Sequence, residues 1–257
     1  MSNNDGVGKT LLIAFVLCIV CSVIVSVAAV LLKPAQEANK ALDRKRNILA
    51  AAGMLDESKT IDEQFSQILT RVVDLRTGKF SDDVDPEKYS QKKAAKDPAQ
   101  SEVLSAEQDL AKIARRENYA VVYLVESAPN QFDKIILPVR GAGLWSTLYG
   151  FVALEADANT IAGLGFYEHG ETPGLGGEVD NPRWKAVWPG KKVYKDEKVA
   201  IGLVKGAVNP AGADALWQVD GLSGATLTAR GVTNLVQFWL GKDGFQAFLS
   251  NLKSGEA

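Results

Sequence analysis

The chain falls into stretches with different hydrophobic rhythms. Thr10 to Leu32 is unbroken: 23 residues, dense in Leu, Ile, Val and Ala, with no charge among them. As a helix rising 1.5 Å per residue it would be about 34 Å long, enough to cross a hydrocarbon core of about 30 Å. Residues 1–33 are therefore expected to form an uncleaved membrane anchor. A cleavable signal peptide is the rival reading, with Lys9 ahead of the run and Ser26-Val27-Ala28 as a small-residue site. Signal cores ordinarily stop after roughly 15 residues, and this run continues past the site. Cys18 and Cys21, three apart on one face, read as small polarizable packing residues.

A helical rhythm follows. Ala35 to Met54 places Leu42, Ile48 and Leu49 in a stripe among charges, continued by Leu55, and Gly53 supplies a stop. Thr60 to Val73 is a second predicted helix, with Ile61, Phe65, Ile68, Leu69 and Val72 at helical spacing. Phe80 to Glu102 is rich in Lys, Asp and Pro without periodicity, and reads as a surface insertion. Residues 34–118 are thus expected as a helical connector carrying a polar insertion.

From Tyr119 the texture becomes β. Short β-rich runs cover 120–125, 134–137, 147–154, 160–167 and 199–204, separated by turn signals such as Asp157-Ala158-Asn159. The chain closes with helix: Val232, Leu235, Val236 and Trp239 fall at i, i+3, i+4 and i+7, and Phe245, Phe248, Leu249 and Leu252 repeat the pattern. Strands followed by terminal helices argue an α+β domain over 119–257, with a mixed or antiparallel sheet and flanking helices.

Composition narrows the chemistry. The 29 basic and 31 acidic side chains leave a net charge of −2, without the basic footprint of a nucleic-acid binder. Both cysteines lie in the apolar run and His169 is the lone histidine, which excludes a disulfide framework and disfavours a zinc site or histidine relay. The anchor has no charged residue that would make an ion site. Lys33, Lys40, Arg44, Lys45 and Arg46 follow the anchor and only Lys9 precedes it, so the positive-inside count alone keeps the large domain cytoplasmic.

Three glycine-rich stretches interrupt the β region: 141–147 (Gly-Ala-Gly-Leu-Trp-Ser-Thr), 168–177 (Glu-His-Gly-Glu-Thr-Pro-Gly-Leu-Gly-Gly) and 220–226 (Asp-Gly-Leu-Ser-Gly-Ala-Thr). Glycines allow close backbone approach to phosphates and flat heterocycles, and they also make ordinary turns. None of the three fits the phosphate-loop or dinucleotide fingerprint. In the third, Ser223 is the predicted N-cap of the following helix, whose positive end would hold a phosphate near Thr226. Gly224 and Ala225 leave the Thr226 hydroxyl sterically open, while Thr228 carries a second hydroxyl near the helix start. Lys205 can pair with a phosphate or remain solvated.

Ser223-Gly224-Ala225-Thr226 resembles a flavinylation motif, in which the Thr hydroxyl is esterified to the phosphate of FMN by a flavin transferase that consumes FAD. Gly143-Leu144-Trp145-Ser146 and Glu171-Thr172-Pro173-Gly174-Leu175-Gly176 resemble the two other signatures of the same FMN-binding domain family. With the anchor and the 42–49 segment, nearly the whole chain resembles the C-subunit family of bacterial Na+-translocating NADH:quinone reductases.

The resemblance implies a covalent FMN on Thr226, with Thr228 as the alternative attachment point. It implies that Trp145 and Leu175 flank the flavin ring. Backbone N–H groups from Glu171 to Gly177, those of Gly174 and Gly176 among them, with the Thr172 hydroxyl, would bind the ring's polar edge, and Ser146 and Thr147 would complete the site. It further implies a domain facing the periplasm, against the charge count, because long domains are exported regardless. The partners would be the other members of a six-subunit inner-membrane complex, especially the B, D and E subunits. Electrons would pass from an iron–sulfur centre to this flavin and on to a covalent flavin in the B subunit during Na+ pumping.

Two alternatives stand beside this. The G subunit of the Rnf electron-transport complexes shares the flavin motifs but generally lacks an insertion as long as 56–101. A membrane-anchored, non-redox binding module would use the glycine stretches only as turns. A hydrolase built on Ser146 or Ser223 lacks both the G-x-S-x-G elbow and a spare histidine base.

Overall fold

The computed structural model describes residues 6–128 and 131–257. They fall into two compact units, Met1–Arg44 and Lys45–Ala257. The first lies within α1 (Val7–Ala51), whose most apolar 18 residues have a mean hydropathy of 3.1 and no buried side chain. By length and composition this helix can cross a membrane. The predicted helix beginning at Ala35 is the continuation of α1, with Pro34 inside it. The helix stops just before Gly53, whose φ of +66° is the left-handed conformation that ends helices cheaply only at glycine.

In the second unit, α2 (Ile61–Phe65) opens with a reciprocal cap. The Thr60 hydroxyl accepts the Glu63 N–H, and the Glu63 carboxylate accepts the Thr60 N–H. This helix lasts five residues, and β1 (Ile68–Asp74) follows. The expectation of one helix over 60–73 is therefore corrected. β1 pairs along its whole length with β5 (Tyr119–Ala128), and its side chains divide between the two faces of the sheet rather than lying along one helical stripe. Segment 34–118, expected as a connector, thus contributes two strands to the central sheet, β1 and the short edge strand β2 (Lys79–Phe80).

The remaining elements are α3 (Gln91–Ala94), β3 (Ser101–Val103), β4 (Arg115–Glu117), β6 (Gln131–Ala142), β7 (Thr147–Glu155), β8 (Ile161–Glu168), α4 (Pro182–Lys185), β9 (Tyr194–Lys195), β10 (Lys198–Val199), β11 (Gly202–Leu203), β12 (Gln218–Val219), α5 (Thr226–Trp239) and α6 (Gln246–Ser254). The main sheet has the order β2-β1-β5-β6-β7-β8, and every neighbouring pair is antiparallel. The run 199–204, expected as one strand, holds the end of β10 and the whole of β11; β11 pairs in parallel with β12.

Both faces of the sheet are buried, which explains why its strands read as continuous apolar runs rather than alternating ones. Ala120, Val122 and Leu124 of β5, Ile135, Leu137 and Val139 of β6, and Val152 and Leu154 of β7 face one cluster. That cluster includes Val232, Leu235, Val236 and Trp239 of α5 and Phe248 and Leu249 of α6. Val121, Tyr123, Ile136, Phe151 and Ala153 point the other way, against Ile48, Leu49 and Ala52. Each fully buried Leu or Ile contributes about 1.5–3 kcal/mol. The α+β class and the two closing helices agree with the sequence reading. This arrangement presses α5 along the end of β6, with Gly231 against Ala142, Leu235 against Gly141 and the Trp239 indole N–H donating to the Arg140 carbonyl.

Candidate functional site

Glu171 lies at the centre of these stretches. It is buried, and its Oε1 accepts the N–H groups of Trp145 (2.9 Å) and Ser146 (3.2 Å). Its Oε2 accepts the Leu144 N–H (3.1 Å) and the Thr228 hydroxyl (2.6 Å). One carboxylate therefore joins the first glycine stretch, the second stretch and the start of α5. Burial pushes this carboxyl upward, but the Thr228 hydroxyl and the three backbone donors outweigh it and hold it below the usual glutamate value.

The glycines around it are there for close approach. A Cβ on Gly143 would stand 2.5 Å from Glu171 Oε1, and one on Gly176 would stand 2.5 Å from Thr228 Oγ1. A Cβ on Gly231 would strike the Ala142 carbonyl, so α5 and the end of β6 can approach only with glycine there. Ser146 adds a second tie, its hydroxyl accepting the Gly170 N–H at 2.6 Å. His169 adds a third: Nδ1 accepts the Glu171 N–H at 3.2 Å while Nε2 meets Asp180 Oδ2 at 2.7 Å. Accepting at Nδ1 places the ring proton on Nε2, so His169 is a loop-positioning residue.

Several expectations about these residues change. Glu171 enters through its carboxylate, which is spent on the chain's own loops. Of the backbone donors expected over 171–177, the Glu171 N–H is taken by His169, and those of Leu175 and Gly177 are taken by the Thr172 carbonyl. Ser223 is not the N-cap of α5. The helix begins at Thr226, Ala225 is the cap residue, and no side chain caps it. The reason lies at Gly224, whose φ of +70° turns the chain between Ser223 and the helix. Thr228 is fully buried and its hydroxyl is bound to Glu171, so it is not presented at the surface.

The outer surface of the site is apolar. Trp145 is 71% exposed, and Leu144, Leu175 and Leu227 are also exposed. A Cβ on Gly224 would lie 3.0 Å from Leu175 Cδ2, which brings the second and third stretches into contact. Thr172 and Gly174 are exposed, Gly176 is buried, and Thr147 begins β7 opposite Ala142. Among the described residues, the hydroxyls of Thr147, Thr172 and Thr226 make no hydrogen bond.

Thr226 is exposed and lines a cleft of about 260 Å³ with Leu203, Lys205, Gly206, Leu222 and Arg230. Its opposite wall is fixed by the Gly221 N–H donating to the Gly206 carbonyl and by the Leu203 N–H donating to Thr233 Oγ1. The sequence reading left Lys205 undecided and missed Arg230, although its i, i+4 spacing from Thr226 placed it on the same helix face. An un-bonded, exposed hydroxyl beside two cations and next to an exposed apolar ledge suits a phosphate ester with a flat ring attached. On these observations the residues fit FMN.

Comparison with known proteins gives the same direction. The FMN-binding domain family matches residues 143–241. The chain is 57% identical over 262 residues to the C subunit of the Na+-translocating NADH-quinone reductase of Pseudomonas aeruginosa, covering 100% of both chains. It is 51% identical to the same subunit of Vibrio anguillarum, over 99% of this chain and 98% of that one. The crystal structure of Shewanella oneidensis NqrC superposes with a TM-score of 0.77 at 38% identity, covering 84% of this chain and 99% of that chain. With full-length relatives at this identity and a matching fold, the chain belongs to the NqrC family, the C subunits of Na+-translocating NADH-quinone reductases, and carries an FMN-binding domain.

Proposed function

We propose that this chain is the subunit of the Na+-translocating NADH-quinone reductase that holds FMN covalently, through a phosphoester on Thr226. Its role is to relay electrons between an iron–sulfur centre of neighbouring subunits and the flavin of the B subunit. The observation that carries the reading is the contrast between the two hydroxyls at the start of α5. Thr226 is exposed and un-bonded, whereas Thr228 is buried and bound to Glu171.

The flavin, once bound, supplies one-electron redox chemistry; the chain supplies position and electrostatics. Trp145 and Leu175 offer apolar surface against which a ring can pack, and excluding water there would shield the reduced form from side reactions. Thr172 offers a free hydroxyl to the ring's polar edge. Attachment forms a bond between Thr226 Oγ and phosphorus and breaks the anhydride bond of FAD. AMP leaves, and the hydroxyl proton passes to the transferase or to water. α1 holds the domain at the bacterial inner membrane, with residues 45–257 on the periplasmic side. A phosphoester suits an exported domain, from which a freely dissociating cofactor would be lost by dilution.

The test is the denatured intact mass, with in-gel flavin fluorescence, after co-expression with a flavin transferase. One FMN on the native chain and none on Thr226→Val supports the reading. Flavin retained on Thr226→Val moves the bond elsewhere, and no covalent flavin on either chain overturns it.

A further inference from the structure

The cleft beside Thr226 has a cationic side that the flavin motif does not account for. Arg230 lies one helical turn beyond Thr226 on α5. Helical side chains lean toward the helix N-terminus, so a residue at i+4 covers the surface above residue i. Arg230 and Thr226 accordingly line the same 260 Å³ cleft, with Lys205 on the wall across from them.

Among the described residues no carboxylate forms an ion pair with Lys205 or Arg230, the two cations that line this cleft. Two unpaired cations, Arg230 on the same helix face as the open hydroxyl and Lys205 elsewhere on the cleft lining, make a site for a phosphate-bearing ligand. The frame does not depend on either side chain. Hydrogen bonds from Gln237 Nε2 to the Ile201 carbonyl and from the Leu203 N–H to Thr233 Oγ1 hold the wall to α5, and the Gly221 N–H donating to the Gly206 carbonyl ties the wall together.

We propose that Arg230 binds the flavin phosphate at Thr226, receiving the diphosphate of FAD during transfer and afterwards pairing with the phosphodiester that remains. This rests on the attachment at Thr226 proposed above. In the transfer, the Thr226 oxygen–phosphorus bond forms as the anhydride bond breaks, AMP departs with the bridging oxygen, and the hydroxyl proton leaves to the transferase or to water. Arg230 takes no part in proton transfer. It offsets phosphate charge as the reacting groups converge, which makes it a binding residue for the incoming cofactor. The guanidinium fork suits two phosphate oxygens at once, and a lysine would offer only a point charge.

The test uses the full chain in detergent with purified flavin transferase and FAD, and follows FMN incorporation by denatured intact mass. Arg230→Gln is expected to lower the initial rate at subsaturating FAD by about ten- to a hundredfold, the range of one charge-assisted hydrogen bond. Arg230→Lys should recover part of the loss, and added salt should slow the native chain more than Arg230→Gln. Arg230 is exposed, so unfolding midpoints should match within experimental error, which separates a binding defect from a folding one. After complete loading, the phosphorus resonance of the ester should differ between the native chain and Arg230→Gln. Rates within about twofold of native for Arg230→Gln, with Thr226→Val still blank, would overturn the Arg230 assignment and leave the attachment intact. Flavin on Thr226→Val would instead overturn the attachment itself.

Discussion

Thr228 Oγ1 donates to Glu171 Oε2 at 2.6 Å inside the protein, joining the first turn of α5 to the loop that follows β8. Thr226, two residues earlier on the same helix, faces outward into a cleft. Two threonines close in sequence are given opposite tasks by the helical turn, one structural and one chemically available.

That division predicts opposite phenotypes. Thr228→Val removes a buried donor at nearly constant volume and leaves Glu171 short of a partner, costing about 1–3 kcal/mol. It should still accept flavin. Thr226→Val changes an exposed side chain, so its stability should stay within about 0.5 kcal/mol of native while flavin attachment is lost. Urea unfolding in detergent and intact mass, run on both variants, read the two effects separately.

Glu171→Ala should be more damaging than either threonine change. It strands the N–H groups of Leu144, Trp145 and Ser146 together with the Thr228 hydroxyl. A loss of about 2–4 kcal/mol follows, with faster amide exchange at 144–146 as its local signature. If amide exchange at 144–146 were unchanged, Glu171 would not be what orders that loop.

The same carboxylate gives a pH dependence of known sign. Its folded-state value lies below that of an ordinary glutamate. Its contribution is therefore fully present above the unfolded value, near pH 4.5, and is lost as pH falls through the folded value. Native protein should lose stability below about pH 4.5 more steeply than Glu171→Gln, whose side chain does not titrate. Unfolding midpoints measured from about pH 3 to 7 on both chains should converge toward the acid end, and parallel curves would exclude Glu171 as a source of the slope.

Adding one methyl group at Gly143 tests the close approach. A Cβ there meets Glu171 Oε1 at 2.5 Å, so Gly143→Ala should cost about 1–3 kcal/mol through displaced packing. Gly165→Ala, where nothing lies within 4 Å of the added carbon, is the control and should be nearly silent.

Trp145 gives an optical readout. It is 71% exposed, whereas Trp188 and Trp239 are fully buried, Trp184 nearly so and Trp217 half-buried. Trp145→Phe should remove most of the red-shifted, readily quenched part of the emission, leaving a smaller share from Trp217, and loading flavin on the native chain should extinguish the Trp145 component. Loss from the buried tryptophans alone would place the ring elsewhere.

Much of the strand pattern was legible because β5 to β8 are long and rich in β-branched residues. Segment 60–73 misled because Ile68, Leu69 and Val72 are spaced compatibly with either a helix or a strand buried on both faces, and pairing with β5 decides between them. The open hydroxyl of Thr226 at a helix start was legible from local sequence. The carboxylate role of Glu171 was not, since its partners lie 25 to 57 residues away in the chain. Nor was the displaced start of α5, because a left-handed turn at Gly224 leaves the same local letters as a Ser-capped helix.

The ties at Glu171, Ser146 and His169 are all made by the chain to itself. The conformational entropy of ordering the three loops is therefore surrendered when the polypeptide folds, not when a cofactor arrives. On the proposed attachment, a modifying enzyme would meet an acceptor that shows one threonine hydroxyl and conceals the other, and the substrate's fold would make its choice of oxygen. Maturation by that route would have a fixed order, with folding first and the covalent bond second.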